Sequence, residues 1–239
     1  MVKVSLADRI IDINFRDARF GSFFDRWKTD NGEPELCVVT NEQNIAPERI
    51  WKNQDESSAI LRQIAEWLPL RNCFVLHSAV FDVGGTGIAF AAHSGTGKTT
   101  HLLLWKKLLG DRLKIINGDK PIIRFFDGEP NIPYAYGTPW NGKEGLGSAE
   151  RTCLRHLCLI ERADENSCTE VSANDIVNRI FDQVYMPHNP AAAASTLGLI
   201  NRLLSSVRLW KICCNMDISA AKTAYDAILG DERKNQDEA

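Results

Sequence analysis

No apolar run in this chain approaches the roughly 20 residues that a helix needs to cross a bilayer, so a helical membrane span is excluded. Basic charge is not in excess either. The chain has 28 Lys and Arg against 31 Asp and Glu, for a net charge of −3. Nucleic-acid and anionic-membrane partners call for a positive footprint, and the sequence offers none. The opening stretch MVKVSLADRIID carries acids and no long apolar segment, so a secretion signal is not expected. None of the seven cysteines is spaced as a C-x-x-C pair, and their number is odd. Buried thiols in a reducing compartment, and hence a cytoplasmic protein, are the expectation. Internal repeats and low-complexity segments are missing as well. What is present is ordinary globular composition: 44% hydrophobic and 25% charged over 239 residues. That suffices for a full core in one large domain, or one domain with a small addition.

The stretch over residues 90–101, FAAHSGTGKTTH, carries the chemistry. Before it, Thr86, Ile88, Ala89, Phe90, Ala91 and Ala92 read as a buried strand. A turn follows at Ser94, Gly95, Thr96 and Gly97, then Lys98, Thr99 and Thr100 open a helical pattern. This is the form of a phosphate-binding loop, G-x-x-x-x-G-K-[ST], with Ala92 in place of the first glycine. Successive amides in such a turn cradle phosphate oxygens, and the helix start adds unpaired N–H groups and a positive dipole end. Lys98 would reach the outer phosphates, and the Thr99 hydroxyl would ligate magnesium. His93, inside the loop, would lie beside the nucleotide. The competing reading is a glycine-rich turn with an exposed lysine. A strand before and a helix after are the context that separates the two.

Residues 2–15 have strand character. Residues 16–28 place Phe20, Phe23, Phe24 and Trp27 at helical spacing, which reads as a core-facing stripe. A turn at residues 30–32, a strand over 36–40 and a helix over 54–68 stopped by Pro69 complete a small N-terminal α/β layer, residues 1–70, without chemical motif. The core, residues 71–230, begins with strands over 73–83 and 86–92. Gly84 and Gly85 join them as an antiparallel hairpin. No helix follows these glycines, so they are not a dinucleotide fingerprint. A helix over 98–109, a strand over 113–117, strands over 122–136, a glycine-rich loop over 137–147 and a strand over 154–161 follow. Helices over 174–186 and 191–205, a strand over 207–214 and a helix over 218–229 close the core. Residues 231–239 read as a solvated tail. The fold class is α/β with a mixed central sheet.

The run LHSAVFDV-GG-TGIAFAAHSGTGKTT, with a strand ending IINGDK one helix later, resembles the kinase core of the HPr kinase/phosphorylase family. That core is related to phosphoenolpyruvate carboxykinase. The likeness covers residues 73–160, and the chain resembles the shorter HPr-kinase-related proteins, some of which phosphorylate serine in peptides. The resemblance implies ATP and Mg2+ as cofactors and a protein or peptide hydroxyl as acceptor. It makes Gly95, Gly97, Lys98 and Thr99 nucleotide ligands, and it places His77 beside the transferred phosphate. Asp119 matches the second aspartate of the family's acidic pair, as metal ligand or base. The first aspartate of that pair is Gly118 here. Gly145-Leu146-Gly147 matches part of the R-G-L-G signature, while Gly142 and Glu144 replace its upstream glutamate and arginine. Lys143 lies between those two and is a candidate for substrate contact.

The expected function is an ATP/Mg-dependent kinase acting on a hydroxyl, most plainly serine. A nucleotide-binding regulator with impaired catalysis, motivated by Gly118, is the first alternative. A carboxykinase-like metabolic enzyme is the second. The family also makes a homo-oligomer an open expectation.

Overall fold

The computed structural model describes residues 1–40, 53–128 and 131–237. Strands β1 (Val2–Leu6), β2 (Arg9–Asn14) and β3 (Leu36–Val39) form a small sheet. Where the sequence predicts one strand-like stretch over 2–15, the chain folds back as a hairpin. Ala7 and Asp8 make the turn at φ +51° and +55°. Such turns ordinarily announce themselves with Asn-Gly or Asp-Gly, and here Asp8, without a glycine, is a weak mark. The aromatic segment forms a 3-10 helix, Ala18–Trp27, not an α-helix. It still buries Phe20, Phe24 and Trp27, so the stripe faces the core as expected. Helix α1 (Asn53–Trp67) turns Ile60 and Ile64 inward.

The large sheet follows the path β4-β8-β9-β10-β6-β5-β7, with β12 against β10 and β11 outside β12. Its strands are β4 (Cys73–Val75), β5 (Ser78–Val83), β6 (Thr86–Ala91), β7 (Leu113–Asn117), β8 (Ile122–Phe125), β9 (Pro133–Tyr136), β10 (Arg151–Arg162), β11 (Ser167–Glu170) and β12 (Arg208–Cys214). β5 and β6 form the expected antiparallel hairpin, while β6 runs parallel to β10. The sheet is therefore mixed, as expected.

The predicted strand over 73–83 is broken. Leu76 N–H is drawn to Pro121 O at 3.2 Å and His77 N–H to Gln183 O at 2.7 Å. The chain thereby leaves its pairing with β8 and begins a new one with β6. β11 has no apolar alternation and was not predicted.

The central strands are buried on both faces, with period-two alternation deciding which residue faces which layer. Val80, Ala89, Ala91, Leu157 and Leu159 pack toward α3 (Ala173–Phe181) and α4 (Pro190–Leu204). Phe81, Ile88, Phe90, Cys158 and Ile160 pack toward α2 (Lys98–Leu109) and α5 (Ile218–Asp237). The predicted helix over 174–186 stops at Phe181. α5 runs on through Asp237, where a tail was expected from residue 231. The last two residues of that expected tail lie outside the described residues.

The N-terminal layer shares one apolar cluster with Cys73, Val75, Ile122, Tyr136 and Trp140 of the core. Asp8 at the hairpin turn accepts hydrogen bonds from Tyr136 Oη and Arg124 Nη1, tying the two together. All seven cysteines are unpaired.

Candidate functional site

Topology brings three segments to one sheet edge. β5 runs antiparallel to both β6 and β7, so β6 and β7 are parallel and end on the same side. One strand separates them, which puts their ends about 10 Å apart at ordinary strand spacing. β5 begins on that same edge. The loop after β6, the turn after β7 and His77 ahead of β5 are thereby gathered without any local sequence signal linking them.

The loop over 92–97 shows the expected strand–turn–helix succession, and α2 starts at Lys98. Gly95 and Gly97 have φ of +79° and +122°. A Cβ at either would meet nothing within 4 Å, so these glycines answer to backbone conformation and not to crowding. His93, Ser94, Gly95 and Thr100 are exposed, while Thr96, Gly97 and Thr99 are half-buried. Lys98 is only 8% exposed, and its Nζ donates to Ala92 O at 2.7 Å, closing the loop on itself. No carboxylate among the described residues forms an ion pair with it. Burial lowers its pKa, while the negative charge of Asp119 opposes that shift. A buried ammonium held by one carbonyl, beside a helix start whose first amides lack intrahelical acceptors, is suited to receive an anion.

Asp119 has both carboxylate oxygens engaged. His77 Nε2 lies 3.1 Å from Oδ1, and Lys120 Nζ lies 2.6 Å from Oδ2. Burial alone would raise its pKa. The hydrogen bonds and charges of His77 and Lys120 outweigh burial and hold it at about 2. A carboxylate this acidic binds a cation well and accepts a proton poorly at neutral pH. Among the described residues no cluster of three His, Cys, Asp or Glu side chains forms a metal cage. Mg2+ rarely uses one. It takes one or two carboxylates and completes its shell with phosphates and water. Asp119 is one such carboxylate, and Thr99 stands in the first turn of α2 beside the loop.

The sequence missed what holds this turn. Asn117 is fully buried, and its Oδ1 accepts the amides of Asp119 (2.9 Å) and Lys120 (2.8 Å). Its Nδ2 donates to Thr138 O (3.0 Å) and Oγ1 (3.1 Å), and Thr138 Oγ1 donates to Lys120 O (2.7 Å). The available signal was an asparagine closing an apolar strand just before Gly-Asp, where its side chain mimics a backbone turn. Arg162, at the end of β10, was also missed. Its Nε donates to Thr96 O at 3.0 Å and its Nη2 to Gly95 O.

Gly118 proves to be crowded. A Cβ there would lie 2.7 Å from Asn141 O and 3.1 Å from Leu146 O. The position has no room for a side chain. Lys143 is exposed, one residue beyond Gly142, whose Cβ position is 3.6 Å from Asp119 Cβ. The Lys143 side chain itself makes no hydrogen bond or ion pair with the described residues. Trp140 anchors its loop, donating from Nε1 to Ser57 Oγ at 2.8 Å and meeting Phe23 and Phe24 edge-on. The other three histidines have partners within the protein. Trp105 donates to His101, Trp210 donates to His156, and His188 pairs with Glu66. Among the described residues no helix is long and apolar enough to cross a membrane.

No protein-family model matches the sequence, and no curated protein matches it. Among solved structures, the HPr(Ser) kinase/phosphatase from Coxiella burnetii is similar at 8% identity with a TM-score of 0.39. The match covers 69% of this chain and 96% of that one. The likeness is distant and concerns the fold alone, so no site residue is assigned from it.

Proposed function

We propose that this protein is an ATP- and Mg2+-dependent kinase that transfers the γ-phosphate to a hydroxyl, a serine of a protein or peptide. The single observation that carries this reading is Lys98: a buried ammonium, folded over a glycine turn, on the same sheet edge as the Asp119–His77 pair. Phosphoryl transfer demands little covalent chemistry from a protein. It needs the triphosphate clamped, its charge neutralised and the acceptor aligned in line. In this reading the loop over 93–100 and Lys98 clamp the phosphates. Thr99 and Asp119 hold Mg2+, which supplies charge neutralisation. His77 orients Asp119 through its Nε2, and Lys143, exposed beside Gly142, contacts the acceptor. The acceptor class rests on the sequence resemblance of residues 73–160 to HPr-kinase-related proteins.

The test is calorimetric titration with MgATP, followed by ADP release with candidate acceptor peptides. Binding that Lys98→Ala abolishes, and turnover that Asp119→Asn abolishes, are expected. No heat and no rise in melting temperature with MgATP would end the proposal. A second reading, a nucleotide-binding regulator, is favoured by the crowded Gly118, which has no room for a carboxylate of its own. Tight binding without turnover, whatever the acceptor, selects it.

A further inference from the structure

We propose that the groove beside the 92–97 loop seats the nucleoside half of a purine nucleotide and accepts adenine and guanine alike. This deepens the kinase reading and rests on it. The groove measures about 560 Å³, within the roughly 300–1,000 Å³ usual for small-molecule sites. It opens beyond the C-terminal ends of the parallel strands β6, β10 and β12, where α/β sheets take their ligands. Gly95, Thr96, Gly97 and Thr100 belong to both loop and groove, so a molecule held by the loop through its phosphates extends into it.

The groove wall says which part of the ligand fits. Ile160, Cys214 and Met216 offer apolar surface, and Met216 is 80% exposed. The polar groups are mostly spent within the protein. Asn215 donates its N–H to Asn166 Oδ1 and its Nδ2 to Asp164 O, and accepts from the Asp217 amide. Ala163 N–H goes to Cys214 O, and Arg162 holds the loop carbonyls. A wall with its donors and acceptors already paired has little with which to reject one base in favour of another.

Two groups are left over. The Asp164 carboxylate lines the groove and has no partner among the described residues. It repels phosphate and suits sugar hydroxyls, which puts the uncharged half of the nucleotide on this side. His101, 2% exposed, also contributes to the wall. Its Nε2 accepts from Trp105, so the ring proton sits on Nδ1, which has no partner. An unpaired buried donor is costly. The His101 Nδ1 lies inside the wall, out of reach of a bound base, so it gives the groove no means of telling adenine from guanine.

The experiment is titration of the full chain with the Mg2+ complexes of ADP, GDP and pyrophosphate, repeated for Met216→Glu and Lys98→Ala. ADP and GDP are expected within about threefold of each other and both at least about tenfold tighter than pyrophosphate, tenfold being 1.4 kcal/mol. Met216→Glu should bring both nucleotides close to pyrophosphate while leaving pyrophosphate unchanged. If pyrophosphate binds in a Lys98-dependent way and the nucleotides bind no tighter, the groove proposal falls and the kinase reading stands. A preference beyond about tenfold between ADP and GDP, the scale that hydrogen-bonded base reading exceeds, overturns the shared-purine claim. If neither pyrophosphate nor either nucleotide binds, the kinase reading falls and this proposal with it.

Discussion

The two backbone turns at the sheet edge reach their shapes by opposite means. The 92–97 loop is open. Its glycines hold positive φ in free space, and it is braced by the Lys98–Ala92 hydrogen bond, the Thr96–His93 turn bond and Arg162 on its carbonyls. The 118–121 turn is packed. Asn117 and Thr138 fix it from beneath, and Asn141 and Leu146 leave Gly118 no room for a side chain. A backbone cradle for an anion needs conformational freedom and access. A carboxylate aimed from a strand end needs a fixed platform. The contrast teaches that the same residue type, glycine, answers to torsion in one turn and to volume in the other.

Four measurements would break or sharpen that contrast. Asn117→Ala strips two amides and the Thr138 hydroxyl of their buried partner, and should cost about 3 kcal/mol in urea unfolding. A loss under about 0.5 kcal/mol, the range of neutral surface changes, would mean that the turn is not held from below. His101, beneath the open loop, gives the next largest effect. Burial lowers its pKa from 6.5 to about 4. Between those values the unfolded chain binds a proton that the folded one refuses, so stability falls as pH drops from 6.5 toward 4. The loss should be roughly 2 kcal/mol. His101→Phe should flatten that slope in unfolding curves at pH 7 and 4.5; an unchanged slope would assign the acid sensitivity elsewhere.

Gly118→Ala should then cost about 1.5 kcal/mol through overpacking against Asn141. Gly95→Ala should cost about 1 kcal/mol through the left-handed torsion alone. The pair separates by rescue. Asn tolerates positive φ better than Ala, so Gly95→Asn should recover part of its loss, and Gly118→Asn should lose more than Gly118→Ala. Equal behaviour at both sites would erase the distinction.

The open loop was legible because its requirements are local. Gly95, Gly97, Lys98 and Thr99 stand in one short run, and the strand and helix around them show their own periodicities. The packed turn was half legible. Asp119 stood out through its match to the family's acidic pair, but its platform draws on Thr138, Asn141 and Leu146, some 20 or more residues on, and sequence spacing carries no distance. His77 was suspected through family likeness, while its place beside Asp119 follows from β5 running between β6 and β7. The break at Leu76–His77 was hidden because both neighbouring segments are apolar and β-prone. The Ala7–Asp8 turn was hidden because Ala7 gives no sign of left-handed backbone and a lone Asp is a weak one.

Trp140 has a consequence beyond its own loop. Its carbonyl accepts Lys120 N–H at 3.0 Å, while its ring sits among Phe23, Phe24 and Ser57 of the N-terminal layer. Among the described residues of the first 70 none belongs to the candidate site, yet they buttress the ground on which Asp119 stands. A shortened chain beginning at residue 71 would bare the apolar flank of β4, β8 and β9 and loosen that footing. The two parts should therefore melt as one cooperative unit, and protease digestion should yield no durable fragment starting near residue 70.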